Sequence, residues 1–278
     1  MEKSMNINTL IRMALKEDLD DSGDITSDAI FQDEVYSYKL VAKERGILCG
    51  MDIFIAVMRH VDKHIQIENH FNDGDYIGRG NVVADVSGHV KSILLSERTA
   101  LNLLSHLSGI ATKTAFFVKK TGGRAVILDT RKTLPGYREL QKYAVRCGGG
   151  ENHRMGLYDM VMIKDNHIDA AGGITAAVKR VRAKWGDRYK IEVETRNPEE
   201  VREALECNVD RIMLDNMNDD EIKSAVDMIS RRAETEASGN MDLQRIKNVS
   251  QTGVDYISAG ELTNSVKGLD FSLKKVKK

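Results

Sequence analysis

Ala125-Val126-Ile127-Leu128-Asp129-Thr130-Arg131-Lys132 decides how the chain folds. A short apolar strand, Ala125–Leu128, breaks off into charged and hydrogen-bonding residues. The same construction recurs downstream. Met160–Ile163 runs into Lys164-Asp165-Asn166-His167, and Lys190–Glu194 into Thr195-Arg196. Arg211–Leu214 runs into Asp215-Asn216, Thr235–Ala237 into Ser238-Gly239-Asn240, and Asp255–Ser258 into Ala259-Gly260-Glu261. Helical patterns lie between, over residues 137–147, 171–185, 198–206, 218–231 and 242–249. Strand–helix alternation at this spacing implies parallel strands joined by right-handed crossovers. About six such units make either an open doubly wound sheet or a barrel.

The text upstream has another rhythm. Residues 6–20 are helical, with Leu10, Ile11, Ala14 and Leu15 at helical spacing, and Asp20-Asp21-Ser22-Gly23-Asp24-Ile25-Thr26-Ser27 is a polar turn with capping residues. From Tyr36 to about Leu95 the pattern is strand-like, with turn signals at Asn72-Asp73-Gly74-Asp75 and Gly78-Arg79-Gly80-Asn81 and one helix at 51–62. Residues 96–119 form a long amphipathic helix on Leu101, Leu104, Leu107, Ile110 and Ala111. The expected division is a first domain over 1–112, with the long connecting helix, and a second over 113–278 whose last segment can pack back on the first.

Composition narrows the class. The 278 residues are 41% hydrophobic, enough for a sizeable core, and 41 Lys+Arg balance 42 Asp+Glu. A net charge of −1 argues against a polycation that coats nucleic acid, and the Lys274-Lys275-Val276-Lys277-Lys278 segment reads as a solvated basic end. No apolar run reaches the roughly 18–20 residues of a membrane span. Met1-Glu2-Lys3-Ser4-Met5-Asn6 lacks the apolar core of a signal peptide. Cys49, Cys147 and Cys207 are scattered and odd in number, so they read as buried small residues rather than a disulfide framework. The expected compartment is the reducing cytoplasm.

In an α/β barrel the residues just after each strand line the active site. Those positions sort by chemistry. Arg131, Lys132 and Lys164, joined by Arg154 of Glu151-Asn152-His153-Arg154, are cations that repel one another unless anions neutralise them. The Arg fork suits carboxylate or phosphate. Glu194 and Asp215, on neighbouring strands, are hard oxygen donors that suit Mg²⁺ held jointly with a polyphosphate. Ser238-Gly239-Asn240 and Ala259-Gly260-Glu261 are small-residue turns whose N–H groups can cradle phosphate. These residues imply small, strongly anionic substrates, one of them phosphorylated, and a divalent metal. Glu192 shares its face with Glu194 and reads as a barrel-interior charge paired to a Lys or Arg.

The stretches Asp129-Thr130-Arg131-Lys132-Thr133, Lys142-Tyr143-Ala144-Val145-Arg146-Cys147-Gly148-Gly149-Gly150, Asn152-His153-Arg154-Met155-Gly156-Leu157-Tyr158-Asp159 and Ile163-Lys164-Asp165-Asn166-His167 resemble the quinolinate phosphoribosyltransferase family. Gly23-Asp24-Ile25-Thr26, Glu97-Arg98-Thr99-Ala100-Leu101-Asn102, Met213-Leu214-Asp215-Asn216, Glu236-Ala237-Ser238-Gly239 and Gly253-Val254-Asp255-Tyr256-Ile257-Ser258 agree, so the resemblance runs from about residue 17 to 273. It implies an N-terminal α/β sandwich followed by an open α/β barrel of about seven parallel strands. It implies that quinolinate and phosphoribosyl pyrophosphate give nicotinate mononucleotide, pyrophosphate and CO₂ with Mg²⁺, in NAD synthesis. It also implies a homodimer in which Arg98 completes the neighbouring site.

By the same resemblance Arg131, His153, Arg154 and Lys164 grip the quinolinate carboxylates, and Thr130 and Lys132 belong to the same turn. Glu194 and Asp215 hold Mg²⁺ and ribose hydroxyls, so that Lys132, Lys164, Glu194 and Asp215 form the catalytic set. Ser238, Gly239, Asn240, Ala259, Gly260 and Glu261 line the 5′-phosphate pocket. Asn264 and Asn240 depart from the family's pattern, where His and Gly are frequent. Three rival readings remain at this point: a related phosphoribosyltransferase for a monocarboxylate, a Schiff-base aldolase built on Lys164, and an inert metabolite-binding barrel.

Overall fold

The computed structural model describes residues 7–277; the reading of residues 1–6 and Lys278 of the basic end lie outside them. The chain opens with helices α1 (Ile7–Leu19) and α2 (Ile25–Ile30), then β1 (Val35–Ala42), β2 (Gly46–Ile47), α3 (Met51–Val61), β3 (Gln66–Asn69), β4 (Tyr76–Ile77), β5 (Val82–His89) and the long helix α4 (Val90–Thr121). There follow β6 (Val126–Leu128), α5 (Arg138–Cys147), β7 (Val161–Ile163), α6 (Asp165–Ala171), α7 (Ile174–Trp185), β8 (Ile191–Thr195) and α8 (Pro198–Glu206). The remainder is β9 (Arg211–Asp215), α9 (Asp219–Ile229), β10 (Glu234–Ser238), α10 (Leu243–Val249), β11 (Tyr256–Ser258), α11 (Glu261–Asn264) and β12 (Phe271–Lys275).

Two compact units emerge. The first comprises Met1–Lys113, Glu139–Gly149 and Val266–Lys278; the second comprises Thr114–Arg138 and Gly150–Ser265. The cut near residue 112 therefore divides only the continuous run of chain, because α5 from Glu139 onward and the β12 segment cluster with the first unit.

The first unit carries a four-stranded antiparallel sheet in the order β12-β1-β5-β3. Leu40 faces Leu273 on one side and Ala84 on the other, and the register shifts by a bulge between Leu40 and Val41. Leu40, Ala42, Val83, Ala84 and Val86 are buried, as are Ile53, Phe54, Val57 and Met58 of α3, giving an apolar layer of about 25 cal/mol per Å² buried. Residues 90–95, expected as strand, are the first turns of α4. Val90, Ile93, Ser96 and Ala100 are buried at intervals of three or four, a helical spacing that local apolar content concealed.

In the second unit all six expected strands are present, in the order β6-β11-β10-β9-β8-β7, parallel throughout. A doubly wound sheet reverses strand order at its switch point. Here β7 to β11 follow in sequence and β11 returns to β6, which is the order of a barrel. Among the described residues this sheet has six strands, against the roughly seven expected. The place of a seventh, on the free edge of β6, is taken by one parallel bridge between Leu128 and Glu151, closed by Glu151 N–H to Ile127 C=O at 2.8 Å. The helix expected over 171–185 is α7, which starts three residues later, and a short helix that was not expected, α6, precedes it across Gly172-Gly173, both with positive φ.

Candidate active site

Parallel strands deliver their carboxyl ends to one rim, and the rim holds a cavity of about 540 Å³. Thr130, Arg131, Lys132, His153, Arg154, Lys164, Glu194, Asp215, Ser238, Gly239, Asn240 and Gly260 all line it. Ala259 is buried outside the wall, Glu261 opens α11, and Arg98 is exposed on α4 in the first unit. These three are not among the lining residues.

Loop chemistry at β6 explains the cationic side. Asp129, fully buried, accepts the His153 N–H on Oδ1 at 3.0 Å and the Asn152 amide on Oδ2 at 2.6 Å. It thereby fastens residues 152–154 next to Thr130–Lys132. Thr130 Oγ1 accepts the Lys132 N–H at 3.1 Å, and Thr263 donates to the Lys132 carbonyl at 2.8 Å. Arg154 donates to the Met160 carbonyl at 3.1 Å. Burial, then the neighbouring Arg131, lower the Arg154 pKa, against the opposing pull of Glu192 and Asp159.

His153 lines the pocket with its nitrogens turned to protein. Nδ1 lies 2.7 Å from the Arg154 backbone nitrogen, and Nε2 lies 3.0 Å from Glu192 and 3.3 Å from Glu236. Burial opposes its protonation, but the two carboxylates outweigh it and raise the ring to about 9. The geometry thus places His153 behind Arg154 as its support rather than in a grip on a ligand carboxylate. Glu192 and Glu236 are both 0% exposed. Glu236 is paired to Arg211 at 3.0 Å, and Arg211 also reaches Glu234 and stacks 4.0 Å over Tyr256. Glu192, expected opposite a Lys or Arg, has His153 as its ion-pair partner.

At the ends of β7 and β8, Lys164 Nζ lies 2.7 Å from Glu194 Oε2. Sequence reasoning gave these side chains to different ligands; in the structure they neutralise each other. Asp215 ends β9 and accepts the Asn216 amide at 2.6 Å. Asn216, at φ 55°, sends its N–H to the Ser238 carbonyl at 3.0 Å. Gly239, at φ 98°, is required there: a Cβ would stand 2.2 Å from Asn216 Oδ1. Arg245 of α10 ties both loops by donating to the carbonyls of Gly239 and Met217.

Met162, Met213, Glu236 and Ser258 also line the cavity and were not expected. The signal for them was present. Each lies two residues before an expected lining residue, Lys164, Asp215, Ser238 or Gly260, and strand side chains repeat on one face with a period of two. Asn216 and Met241 belong to the loop tips, where no such period applies.

Comparison with known proteins bears on this pocket. The family model described as quinolinate phosphoribosyl transferase, N-terminal domain, matches residues 24–108, and the C-terminal domain model matches 110–274. The chain is 46% identical to the chloroplastic nicotinate-nucleotide pyrophosphorylase [carboxylating] of Arabidopsis thaliana, over 97% of this chain and 82% of that protein. It matches the solved nicotinate-nucleotide pyrophosphorylase of Francisella tularensis at TM-score 0.94 and 40% identity, covering 97% and 96% of the two chains. The NadC structure from Streptococcus pyogenes matches at TM-score 0.93 and 41% identity, covering 98% and 97%.

Proposed function

The chain belongs to the quinolinate phosphoribosyltransferase family, and from that premise we propose how its pocket performs the family's reaction. Quinolinate and phosphoribosyl pyrophosphate become nicotinate mononucleotide, pyrophosphate and CO₂, a step of NAD biosynthesis. The observation that carries this reading is the Arg131–Arg154 pair, two cations on the pocket wall whose repulsion, with burial, outweighs the pull of Glu192 and Asp159 on Arg154. A planar diacid supplies the missing charge, and each cation–carboxylate contact at 4 Å gains about 4 kcal/mol at an effective dielectric of 20, before desolvation.

Arg131, Arg154 and Lys164 hold the two quinolinate carboxylates and aim the ring nitrogen at ribose C1. Lys132 and the turns Ser238–Asn240 and Ala259–Glu261 hold the phosphate groups. As pyrophosphate leaves, positive charge grows on the ribose, and Glu194 and Asp215 face it from adjacent strands. In this reading the Lys164 ammonium turns from Glu194 to quinolinate, and Glu194 is released toward the ribose. Ring-nitrogen attack makes a pyridinium, whose charge accepts the electron pair left on the adjacent carbon as CO₂ departs. Positioning of the reactants supplies ~7–11 kcal/mol, and no covalent nucleophile is needed. An amine 2.7 Å from a carboxylate is arranged as an ion pair, not as the desolvated lysine of a Schiff-base aldolase.

Glu194 and Asp215, hard oxygen donors on β8 and β9, would hold Mg²⁺ at this site. The ion would supply charge neutralisation for the leaving pyrophosphate. Release of labelled CO₂ from carboxyl-labelled quinolinate tests the reading. Release that needs phosphoribosyl pyrophosphate and Mg²⁺ is expected; absence of release from folded protein that binds quinolinate overturns it.

The working unit in this proposal is a homodimer, with Arg98, exposed on α4, reaching the partner's quinolinate. Arg98→Ala mixed with Lys164→Ala then regains activity, because one site of each mixed dimer is whole. No recovery after demonstrated subunit exchange removes Arg98 from the shared site. No helix among the described residues is long and apolar enough to cross a membrane. We place the enzyme in the cytoplasm, in keeping with its three free cysteines.

A further inference from the structure

Cys49 and Cys147 are far apart in the sequence and adjacent in the first unit. Cys49 lies between β2 and α3 and is fully buried; Cys147 ends α5 and is partly exposed. Their sulfurs and a carboxylate oxygen of Asp73 all lie within 4.8 Å of one another, and the two thiols share a hydrogen bond. The surroundings hold them there. Asp73 accepts the Gly50 N–H at 2.9 Å, the Met51 N–H at 3.0 Å and the Tyr143 hydroxyl at 2.9 Å. Ser108 accepts the Cys49 N–H at 3.0 Å and donates to the Cys49 carbonyl at 3.1 Å. The pocket chemistry uses none of these groups.

We propose that Cys49 and Cys147 form a reversible dithiol–disulfide couple, with Cys147 the attacking sulfur and Cys49 the resolving one, and a low-molecular-weight disulfide as oxidant. The sulfurs are unequal in the way such a couple needs. The hydrogen bond with Cys49 lowers the Cys147 thiol, against burial and with help from the Tyr143 hydroxyl. The same hydrogen bond, then burial, pushes the Cys49 thiol far up. An accessible, acidified thiol beside a protonated resolving thiol is the arrangement of a redox-responsive pair. A metal ion is the poorer occupant, because the Asp73 oxygens already accept three hydrogen bonds that coordination would disturb.

The step balances. The Cys147 thiolate attacks one sulfur of oxidised glutathione and expels one glutathione thiolate, leaving a mixed disulfide. Cys49 gives its proton to solvent and its sulfur displaces the second glutathione thiolate. Two protein thiols are oxidised and one external disulfide is reduced. The new bond ties the end of α5 to the residue before Gly50 and α3.

The test is titration of the reduced wild-type protein with oxidised glutathione, followed by alkylation, intact mass and peptide mapping. The expected result is loss of two of the three free thiols, a chain lighter by two hydrogens, one Cys49–Cys147 crosslinked peptide and full reversal by dithiothreitol. Cys207→Ser keeps the crosslink; Cys147→Ser, at a partly exposed position, abolishes it. A glutathione adduct that persists on Cys147, a bond through Cys207, or three unreacted thiols overturns the proposal. One equivalent of zinc retained by the reduced wild-type protein and lost from Cys147→Ser also overturns it, in favour of a metal site.

Discussion

Arg131 and Arg154 hold like charges against each other, and that repulsion is a readiness for an anion. Arg131 is exposed, so its removal spares the core. Arg131→Ala is expected to lower kcat/KM for quinolinate roughly 10²–10³-fold, the usual cost of one charge-stabilising donor, with an unchanged or slightly higher urea midpoint. A large fall in that midpoint instead would mark Arg131 as structural. Arg211 is the opposite case. It neutralises Glu236, which is 0% exposed, and Arg211→Met leaves that buried carboxylate with His153 alone, a cation it shares with Glu192. Breaking a buried pair from one side costs about 3–5 kcal/mol, readable as a lower unfolding midpoint. A midpoint within error of wild type would show that Glu236 takes up a proton or a new partner at little cost.

At the scale of the element, caps decide where helices begin. Asp24 caps α2, accepting the N–H groups of Thr26 and Ser27 at 3.1 and 3.0 Å. The Ser27 hydroxyl, then the Ser27 and Thr26 N–H groups, hold its carboxyl below the usual range against slight burial. Its folded pKa lies below the unfolded one, so the contribution is complete above the unfolded value and fades as pH falls through the folded value. Asp24→Ala is expected to cost about 1 kcal/mol at pH 7 in urea unfolding, with the difference from wild type vanishing in acid. A difference that does not change between neutral and acid pH would assign the effect to helix propensity instead.

The elements also show what the sequence made legible. The six barrel strands and the strand-end residues were readable because a buried parallel strand is a short apolar run with an abrupt polar end. Residues 90–95 were misread because six residues are too few to separate a period of two from one of 3.6. The seventh strand is a single bridge at Glu151, a contact that no local pattern encodes. The Lys164–Glu194 and Cys49–Cys147 neighbours are long-range facts, fixed by strand register and helix packing rather than by composition.

For the whole molecule, the telling strand is β12. It pairs along β1 from Tyr38 to Ala42 and buries Leu269 and Phe271. Truncation after Ser265 is expected to destabilise the first unit by about 1.5–3 kcal/mol for each of these two side chains, and to expose the β1 edge to association. Urea unfolding and light scattering read the two effects; a truncated chain with native stability would make β12 an ornament of the sheet.

That strand also sets a timetable for synthesis. β1 and β5 leave the ribosome early, yet the sheet they begin gains its fourth member only after every barrel strand has been translated. Until then β1 carries an open hydrogen-bonding edge, the surface that nascent chains use when they join one another on a polysome. The first unit is therefore begun first and finished last, with the β1 edge open throughout elongation.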